Sequence, residues 1–419
     1  MASACTLRKI AQVPRPALWR SPDLLITIGP TAPRRRSVRA NGIVDMLTVA
    51  RISLSSTDDA QVRYALGSAL WPGLGIEPKT GGRAMATQPY VGNAQAPAIE
   101  TELWPTLRSC WHPVAVAAEI GSRPVAVQLL GERLALVRLG DSIVAFRDLC
   151  IHRGTALSLG WIQGDTVVCA YHGWRYDRSG ACVEIPSIPP NRPIPPKARA
   201  QVFTTAEQYG LVWVCLERAR APIPEFPEFT DATYTAEMLG PYHWECSAAR
   251  AIENFTDLAH FPWIHEGILG DRRQPETPVF DITRAGEELR YGFQDKPTAV
   301  HPVTHRRDYR LTRPFTIHLR QPREDSACEA IFFAVSPTSA KRSVQFMIVA
   351  RNFTMTLDEH IKWRRVYDLV ADQDAAIVAS QRPEELPVDL AAELHIKGPD
   401  AVAVEYRRFM AELGVNVDA

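Results

Sequence analysis

The chain has 419 residues, enough for two or three domains with hydrophobic cores of their own. Lys and Arg together number 47, as do Asp and Glu, so the overall charge gives no indication of binding to nucleic acid or to an anionic membrane surface. Apolar residues make up 46% of the chain, and no apolar run approaches the ~20 residues that a membrane-spanning helix needs.

Residues 1–101 are predicted to be a disordered N-terminal extension. Arginine is frequent at the start of the chain, Asp23 is the only acidic residue before Asp45, and no helical or alternating pattern is sustained. An organelle transit peptide has a similar composition. We favour a disordered extension, or a start codon assigned upstream of the true one at Met85, over targeting. A chain that begins at Met85 is therefore expected to fold and function.

Residues 102–221 are predicted to form a small antiparallel β-domain. Short runs rich in Val, Ile, Leu and Phe alternate with glycine-containing turns. A proline-rich loop at 186–196 links the last hairpins. The predicted strands are 125–130, 134–138, 142–146, 166–168, 202–203 and 211–216.

The strongest motif in the chain lies inside this β-domain. It consists of two mixed Cys/His pairs separated by sixteen residues: Cys150, His152, Cys169 and His172. Two loops that each supply one thiolate and one imidazole suit a [2Fe–2S] cluster in which one iron has two Cys ligands and the other two His ligands. Glycines that follow each histidine, Gly154 and Gly173, relax the backbone of the loops.

Structural zinc is the alternative that we weighed for these four residues. Zinc sites of this ligand type usually pair Cys with Cys and His with His along the chain, whereas both halves are mixed here. We therefore favour the cluster. Eight cysteines in this length are too sparse for a disulfide scaffold, and the metal-ligand spacing of two of them favours a reducing, cytoplasmic setting.

Residues 222–419 are predicted to form an α+β domain with an antiparallel sheet. A helical stretch is expected at about 249–264. Strands are expected at about 278–294, 308–320, 328–336 and 342–354, followed by one long helix at about 357–381. No repeat of 20–50 residues occurs in the sequence.

Two histidines in the first helical stretch are predicted to bind a mononuclear ferrous ion. Ferrous iron that activates O₂ is held by two His and one carboxylate, which leave open positions. His260 and His265 are five residues apart, about 140° on a regular helix. We expect Pro262 to kink or widen the turn so that both imidazoles reach one ion.

The third ligand is predicted on the last long helix, where the candidates are Asp368, Asp372 and Asp374. Helical spacing places Asp374 on the apolar stripe, together with Val366, Val370, Ile377 and Val378. The other two aspartates share the opposite face, where a carboxylate is solvated. Since a lone acid turned into a core is costly unless a cation compensates it, Asp374 is our choice.

At these motifs the chain resembles the α-subunits of Rieske non-haem iron oxygenases over nearly all of residues 102–419. It is similar to the monooxygenase branch, with the methylxanthine N-demethylases, dicamba O-demethylase and the saxitoxin-pathway hydroxylases. The resemblance includes the segments Glu207–Val214, Glu253–Gly270, Gln373–Asp374 and Glu405–Arg408. The Rieske proteins usually have proline after the second cluster cysteine, where this chain has Ala170.

The resemblance implies a β-sandwich Rieske domain followed by a helix-grip catalytic domain, assembled as a head-to-tail homotrimer. It implies His260, His265 and Asp374 as iron ligands. It also implies Asp257 as the catalytic bridging carboxylate between an iron histidine and a cluster histidine of the next subunit. Asp257 lies one helical turn before His260, within reach of its unligated nitrogen if the helix is regular.

The function predicted from these features is that of a terminal oxygenase which inserts oxygen from O₂ into a C–H bond of a small substrate. Ring hydroxylation and oxidative N- or O-demethylation share that step. No Gly-rich dinucleotide fingerprint follows a strand, so electrons are expected from a separate NAD(P)H-dependent reductase, possibly with a ferredoxin. The alternatives are an arene cis-dihydroxylating dioxygenase and a Rieske electron carrier.

Overall fold

The computed structural model describes residues 104–279, 281–294, 306–323, 325–387 and 389–413. The predicted N-terminal extension, residues 1–101, lies outside these ranges. Within them, no helix is both long and apolar enough to cross a membrane. The predicted α+β class is confirmed, because an all-β region precedes an antiparallel sheet with a long helix near the C-terminus.

The first region contains two antiparallel sheets. A six-stranded sheet has the order β1-β10-β9-β4-β3-β2, and a four-stranded sheet has the order β5-β6-β7-β8. The bounds are β1 His112–Val116, β2 Val125–Leu129, β3 Glu132–Leu139, β4 Ser142–Arg147, β5 Trp161–Gln163, β6 Thr166–Val168, β7 Arg175–Asp177, β8 Cys182–Glu184, β9 Val202–Gln208 and β10 Leu211–Cys215. Two 3₁₀ helices, Ala117–Glu119 and Leu157–Leu159, lie between these strands.

The second region contains one seven-stranded antiparallel sheet with the order β11-β17-β16-β15-β14-β13-β12. Its strands are β11 Thr235–Trp244, β12 Thr283–Ala285, β13 Glu288–Gln294, β14 Arg306–Thr312, β15 Thr316–Pro322, β16 Cys328–Ser339 and β17 Arg342–Arg351. The helices are α1 Pro227–Thr230, α2 Ala248–Thr256, α3 Phe261–Ile264, α4 Leu357–Val378 and α5 Ala401–Leu413, with a 3₁₀ helix at Leu390–Ala392.

Both faces of the large sheet are buried, which explains the nearly continuous apolar run of β16. Ile331 and Phe333 point to a core that includes α2, α4 and α5. The alternate residues, among them Phe332, point to a second core that contains Trp213 of β10. The Trp213 and Phe332 rings lie 6.2 Å apart, centroid to centroid. The two regions therefore share buried clusters and do not pack as separate bodies.

Several elements differ from the prediction. The strand expected at 278–294 is a hairpin of β12 and β13, and β1, β7, β8 and α1 were not predicted. The helix expected at 249–264 is interrupted between Thr256 and Phe261, so α2 and α3 are separate helices. Strand β11 was not predicted, because Gly240 and Pro241 lie within it, at a register shift between Leu239 and Tyr242. Helix α5 was also not predicted.

Candidate metal centres

The break between α2 and α3 brings the two histidines together. Asp257 has extended backbone angles (φ −79°, ψ 131°) and ends α2, whereas His260 immediately precedes α3 and His265 follows it. The predicted kink at Pro262 is therefore wrong, because the chain leaves the helix before that residue. Pro262 lies in the first turn of α3, where its missing N–H is not needed.

Three side-chain atoms converge at this point. The Nε2 atoms of His260 and His265 are 3.2 Å apart. Oδ1 of Asp374 lies 3.4 Å from the first and 3.0 Å from the second. These separations are close to the ~3 Å expected between neighbouring ligands of an octahedral ion with bonds of ~2.1 Å. The arrangement fits two His and one carboxylate on one face of a ferrous ion.

The surroundings of the three groups favour a cation. His265 is fully buried and Asp374 is 8% exposed. Oδ1 of Asp374 is buried and has no hydrogen-bond donor. Burial lowers the pKa of His265, but the adjacent Asp374 carboxylate and the hydrogen bond with Gln373 outweigh that effect and raise the pKa above its ordinary value. A metal ion would satisfy the carboxylate oxygen that is otherwise left without a partner.

The environment of the other two candidate aspartates, Asp368 and Asp372, differs from the prediction in part. Asp372 is exposed, as expected. Asp368 is partly buried and accepts a hydrogen bond of 2.8 Å from the Tyr242 hydroxyl, so it does not lie on a solvated face. The predicted apolar stripe is also narrower than expected, since Val366 and Ile377 are 41% and 46% exposed.

Each histidine is oriented by a hydrogen bond from its other ring nitrogen. His260 Nδ1–H donates to Asp257 Oδ2 at 3.0 Å, and His265 Nδ1–H donates to Gln373 Oε1 at 2.8 Å. These bonds leave both Nε2 atoms free to act as ligands. The sequence reasoning gave Gln373 no role. Gln373 could have been suspected from its position next to Asp374, because a helix that supplies a carboxylate to a site can also place the preceding side chain there.

The four cluster residues lie on two loops, one after β4 and one between β6 and β7. Cys150 and Cys169 are 2% and 1% exposed, whereas both histidines lie at the surface. The Nδ1 atoms of His152 and His172 are 3.2 Å apart. Gly154 and Gly173 have φ angles of +73° and +70° and donate backbone hydrogen bonds to the carbonyls of Cys150 and Cys169. A side chain at either glycine would be strained.

These four residues are not gathered around one point. Among the described residues, the only group of three or more metal-binding side chains with ligand atoms within 4.8 Å of one another is His260, His265 and Asp374. A single zinc ion would require a compact tetrahedral set. Two buried thiols on one side and two histidines on the other fit a two-iron cluster better.

Two further residues contact the cluster loops. Trp174 stacks on His152, with 4.6 Å between ring centroids and an interplanar angle of 6°. The Tyr176 hydroxyl lies 3.1 Å from Cys150 Sγ. Burial, followed by the hydrogen bond with Cys150, raises the pKa of Tyr176 well above its usual range, so its hydroxyl remains protonated and can donate to the sulfur. Tyr176 was not predicted as a functional residue.

The three converging groups border a cavity of about 290 Å³. Aromatic and aliphatic side chains form most of its wall, including Phe255, Phe261 and Phe333. A polar group lies elsewhere in the wall and consists of Arg307, Gln321, Arg323 and Glu329. A larger and more open hollow of about 670 Å³ contains none of the three converging residues. The smaller cavity is therefore the candidate substrate site.

Comparisons with known proteins match both regions. Residues 110–204 match the Rieske [2Fe–2S] domain, and residues 244–415 match the vanillate O-demethylase oxygenase C-terminal domain. The chain is 35% identical over 320 residues to methylxanthine N1-demethylase NdmA of Pseudomonas putida. The matched region covers 73% of this chain and 89% of that protein. It is 32% identical over 328 residues to methylxanthine N3-demethylase NdmB of the same organism, with coverage of 74% and 90%.

Solved structures give the same result. The structure of Pseudomonas putida CBB5 NdmA with caffeine matches with a TM-score of 0.69 at 34% identity, over 75% of this chain and 92% of that one. Dicamba monooxygenase bound to dicamba matches with a TM-score of 0.62 at 22% identity, over 74% and 97% of the two chains, which indicates a shared fold.

Proposed function

This chain belongs to the Rieske non-haem iron oxygenases, and we propose that within this family it catalyses the oxidative N-demethylation of a small N-methylated ring compound. It is the oxygenase component of a monooxygenase, it uses a Rieske [2Fe–2S] cluster and a mononuclear iron, and it depends on an external reductase. The proposed reaction is R₂N–CH₃ + O₂ + 2e⁻ + 2H⁺ → R₂NH + HCHO + H₂O, with electrons supplied by the reductase.

We assign the metal ligands as follows. The cluster is held by Cys150, His152, Cys169 and His172, and the mononuclear iron by His260, His265 and Asp374. When bound, these groups supply electron transfer and the activation of O₂. Asp257 is a positioning residue that fixes the ring of His260. We divide the chain into a cluster domain at 102–221 and a catalytic domain at 222–419.

The observation that carries the proposal is that the two histidines and Asp374 border a largely apolar cavity of about 290 Å³. Such a volume is at the small end of ligand pockets, so it suits a substrate of one or two rings. The aromatic wall can hold a planar ring by stacking and can exclude water from the face that carries the iron ligands. The 34–35% identity with NdmA supports N-methyl substrates over others.

We also propose that the chain works as a head-to-tail homotrimer. Apolar side chains are exposed around the cluster loops, with Leu149, Ile151 and Tyr171 at 42%, 39% and 61% exposure. Such a patch suits a protein interface. The side chain of Asp257 is 34% exposed, so a neighbouring subunit can reach it. We place the enzyme in the cytoplasm with an NAD(P)H-dependent reductase, with or without a ferredoxin. None of its seven described cysteines forms a disulfide, which suits that compartment.

The proposal is tested by measuring formaldehyde and O₂ consumption with the full chain, both metal centres loaded, and a surrogate reductase. Caffeine, theobromine and dicamba serve as N-methyl, partly methylated and O-methyl probes. We expect formaldehyde in proportion to O₂ consumed from an N-methyl probe. Formaldehyde from dicamba alone, or a hydroxylated ring without formaldehyde, would contradict N-demethylation.

A further inference from the structure

The candidate substrate cavity has one polar end, which the proposed reaction does not use. Glu329 is the first inward-facing residue of β16, in series with Ile331 and Phe333, which also line the cavity. It pairs with Gln321 of β15, and Arg307 of β14 lies in the same part of the wall. The inner face of the sheet thus changes from aromatic and aliphatic near the iron ligands to polar at the far end.

The carboxylate of Glu329 is held by two neutral donors from α4. Trp363 Nε1–H donates to Oε2 at 2.8 Å, and the Tyr367 hydroxyl donates to Oε1 at 2.6 Å. Burial, followed by the neighbouring carboxylate, raises the pKa of Tyr367 well above its usual range, so its hydroxyl remains a donor. A carboxylate oxygen can accept two hydrogen bonds, so each oxygen retains an acceptor position.

Trp363 and Tyr367 are the hydrogen-bond donors to this carboxylate among the described residues, and none of their Lys or Arg side chains forms a salt bridge with Glu329. The polar end therefore offers an acceptor at Glu329 beside a potential donor, the side-chain amide of Gln321. An edge of a substrate that carries both N–H and C=O groups would match such a set.

Helix α4 sets the distance between the two ends of the cavity. Tyr367 and Asp374 are seven residues apart on α4, two turns or about 10 Å along its axis, and both line the cavity. A bicyclic heteroaromatic compound can therefore present an N-methyl group to the iron ligands while its opposite edge reaches Glu329.

We propose that Glu329 is a specificity-determining residue that accepts a hydrogen bond from a ring N–H of the substrate. This inference rests on the proposed N-demethylation and narrows its substrate class to planar heteroaromatic compounds with an N–H between carbonyl groups on the edge away from the reacting methyl. A methyl group on that nitrogen would remove the donor and leave the carboxylate facing an apolar group, which is unfavourable in a desolvated site.

The test compares theobromine, which has such an N–H, with caffeine, in which a methyl group replaces that hydrogen. Binding to the full chain with both metal centres loaded is measured without O₂ by equilibrium dialysis, so that turnover does not enter. We expect theobromine to bind at least about 10-fold more tightly than caffeine, the loss typical of a buried partner left unpaired. Glu329→Gln should reduce that ratio to about 1, because the amide places a donor where the carboxylate had an acceptor.

Glu237→Gln is the matched control. The Glu237 carboxylate also ties α4 to the sheet, through His360 Nε2 and Arg364 Nη1, each at 2.6 Å, but it does not line the cavity. This variant should keep the wild-type ratio. Glu329→Asp, which shortens the side chain, provides a second variant in case Glu329→Gln does not fold. It should also lower the ratio of theobromine to caffeine affinity.

Three results would overturn the inference. They are an unchanged ratio in folded Glu329→Gln or Glu329→Asp, an equal change in Glu237→Gln, and wild-type binding that favours caffeine or the carboxylate dicamba. Each can occur while the wild-type enzyme still releases formaldehyde from an N-methyl compound. Failure of this inference is therefore distinguishable from failure of the proposed function.

Discussion

At the scale of single residues, the proposed metal ligands could be selected from the sequence because the chemistry restricts them strongly. Few residue types bind iron, and their spacing along a loop or helix is limited. The residues that orient these ligands were harder to find. Gln373 and Tyr176 act through hydrogen bonds to His265 and Cys150, and amide or phenol groups at such positions have no distinctive pattern in a single sequence.

The choice of Asp374 over its neighbours gives a direct prediction. Asp374→Ala should reduce bound iron from about three ions per chain to about two and abolish turnover, because only the cluster irons remain. Asp372→Ala should retain the iron and the activity, since that side chain is exposed. Iron analysis and the visible spectrum of the cluster measure both. An exchange of the two phenotypes would show that Asp374 is not the ligand.

The Tyr176 hydroxyl is expected to raise the reduction potential of the cluster. Hydrogen bonds to cluster sulfur stabilise the reduced form, which carries more negative charge. Tyr176→Phe keeps the buried ring and removes the bond, so we expect a potential lower by roughly 20–60 mV, the equivalent of one hydrogen bond. Tyr171→Phe, in the loop that precedes β7 and 61% exposed, is the control. Equal potentials in wild type and Tyr176→Phe would contradict this role.

At the scale of secondary-structure elements, the errors have identifiable causes. The break after Thr256 was missed because Leu258 and Ala259 are good helix formers and the only proline comes later, at 262. The break is stabilised instead by a local hydrogen bond, in which Asp257 Oδ1 accepts from the Ala259 N–H at 2.8 Å. Gly240 and Pro241 both disfavour a strand, but β11 nevertheless forms because it pairs with β17 on both sides of these two residues.

Helix α5 holds the iron-binding segment in place through a buried ionic cluster. Arg407, 2% exposed, donates to both oxygens of Glu253 on α2 at 2.8 and 3.0 Å and also bonds to Glu393. Arg407→Met keeps much of the volume but leaves buried carboxylates uncompensated, which costs about 3–5 kcal/mol. We expect the thermal midpoint to fall by at least about 5 °C. Arg408→Met, on the exposed side of α5, should change it little.

The same cluster makes stability depend on pH. Burial by itself raises the pKa of Glu393, but hydrogen bonds and charge from Arg250 and Arg407 outweigh burial and lower the pKa. Ionised Glu393 therefore stabilises the folded state above the unfolded-state pKa of ~4.3. This stabilisation is lost as the pH falls through the folded-state pKa. The loss of stability in acid should be smaller in Arg407→Met than in wild type. A larger loss would show that Glu393 is not stabilised by this arginine.

At the scale of the whole molecule, sequence patterns identified two regions but not their shared cores. Strand β10 was predicted from its apolar run, yet only the structure pairs its Trp213 with Phe332 of the catalytic sheet. Contacts between residues more than a hundred positions apart leave no local pattern. For the same reason, the predicted trimer rests on family resemblance and not on any pattern in the sequence.

The last prediction concerns Asp257, whose partly exposed carboxylate lies next to the proposed iron ligands. Oδ2 accepts from His260 Nδ1–H at 3.0 Å, Oδ1 accepts from the Ala259 N–H at 2.8 Å, and the side chain is 34% exposed. An exposed carboxylate with unused acceptor positions can also receive a cluster histidine from a neighbouring subunit, as proposed for the trimer. Asp257→Asn should then remain trimeric, keep its cluster and retain part of its iron. Reduction of the cluster by the reductase should be normal, but turnover should fall by about 100-fold or more.

The decisive measurement for Asp257 is stopped-flow re-oxidation of the pre-reduced cluster, with O₂ and substrate present and with iron loading matched to wild type. We expect this step to slow in Asp257→Asn, because the hydrogen-bonded connection between the two metal centres is lost. Gln373→Leu is the matched control, since it removes the corresponding bond to His265. That variant should bind iron 10–100-fold more weakly, the usual effect of losing such a bond, yet re-oxidise its cluster normally once loaded. Wild-type re-oxidation in iron-loaded Asp257→Asn would leave Asp257 only the role of orienting His260.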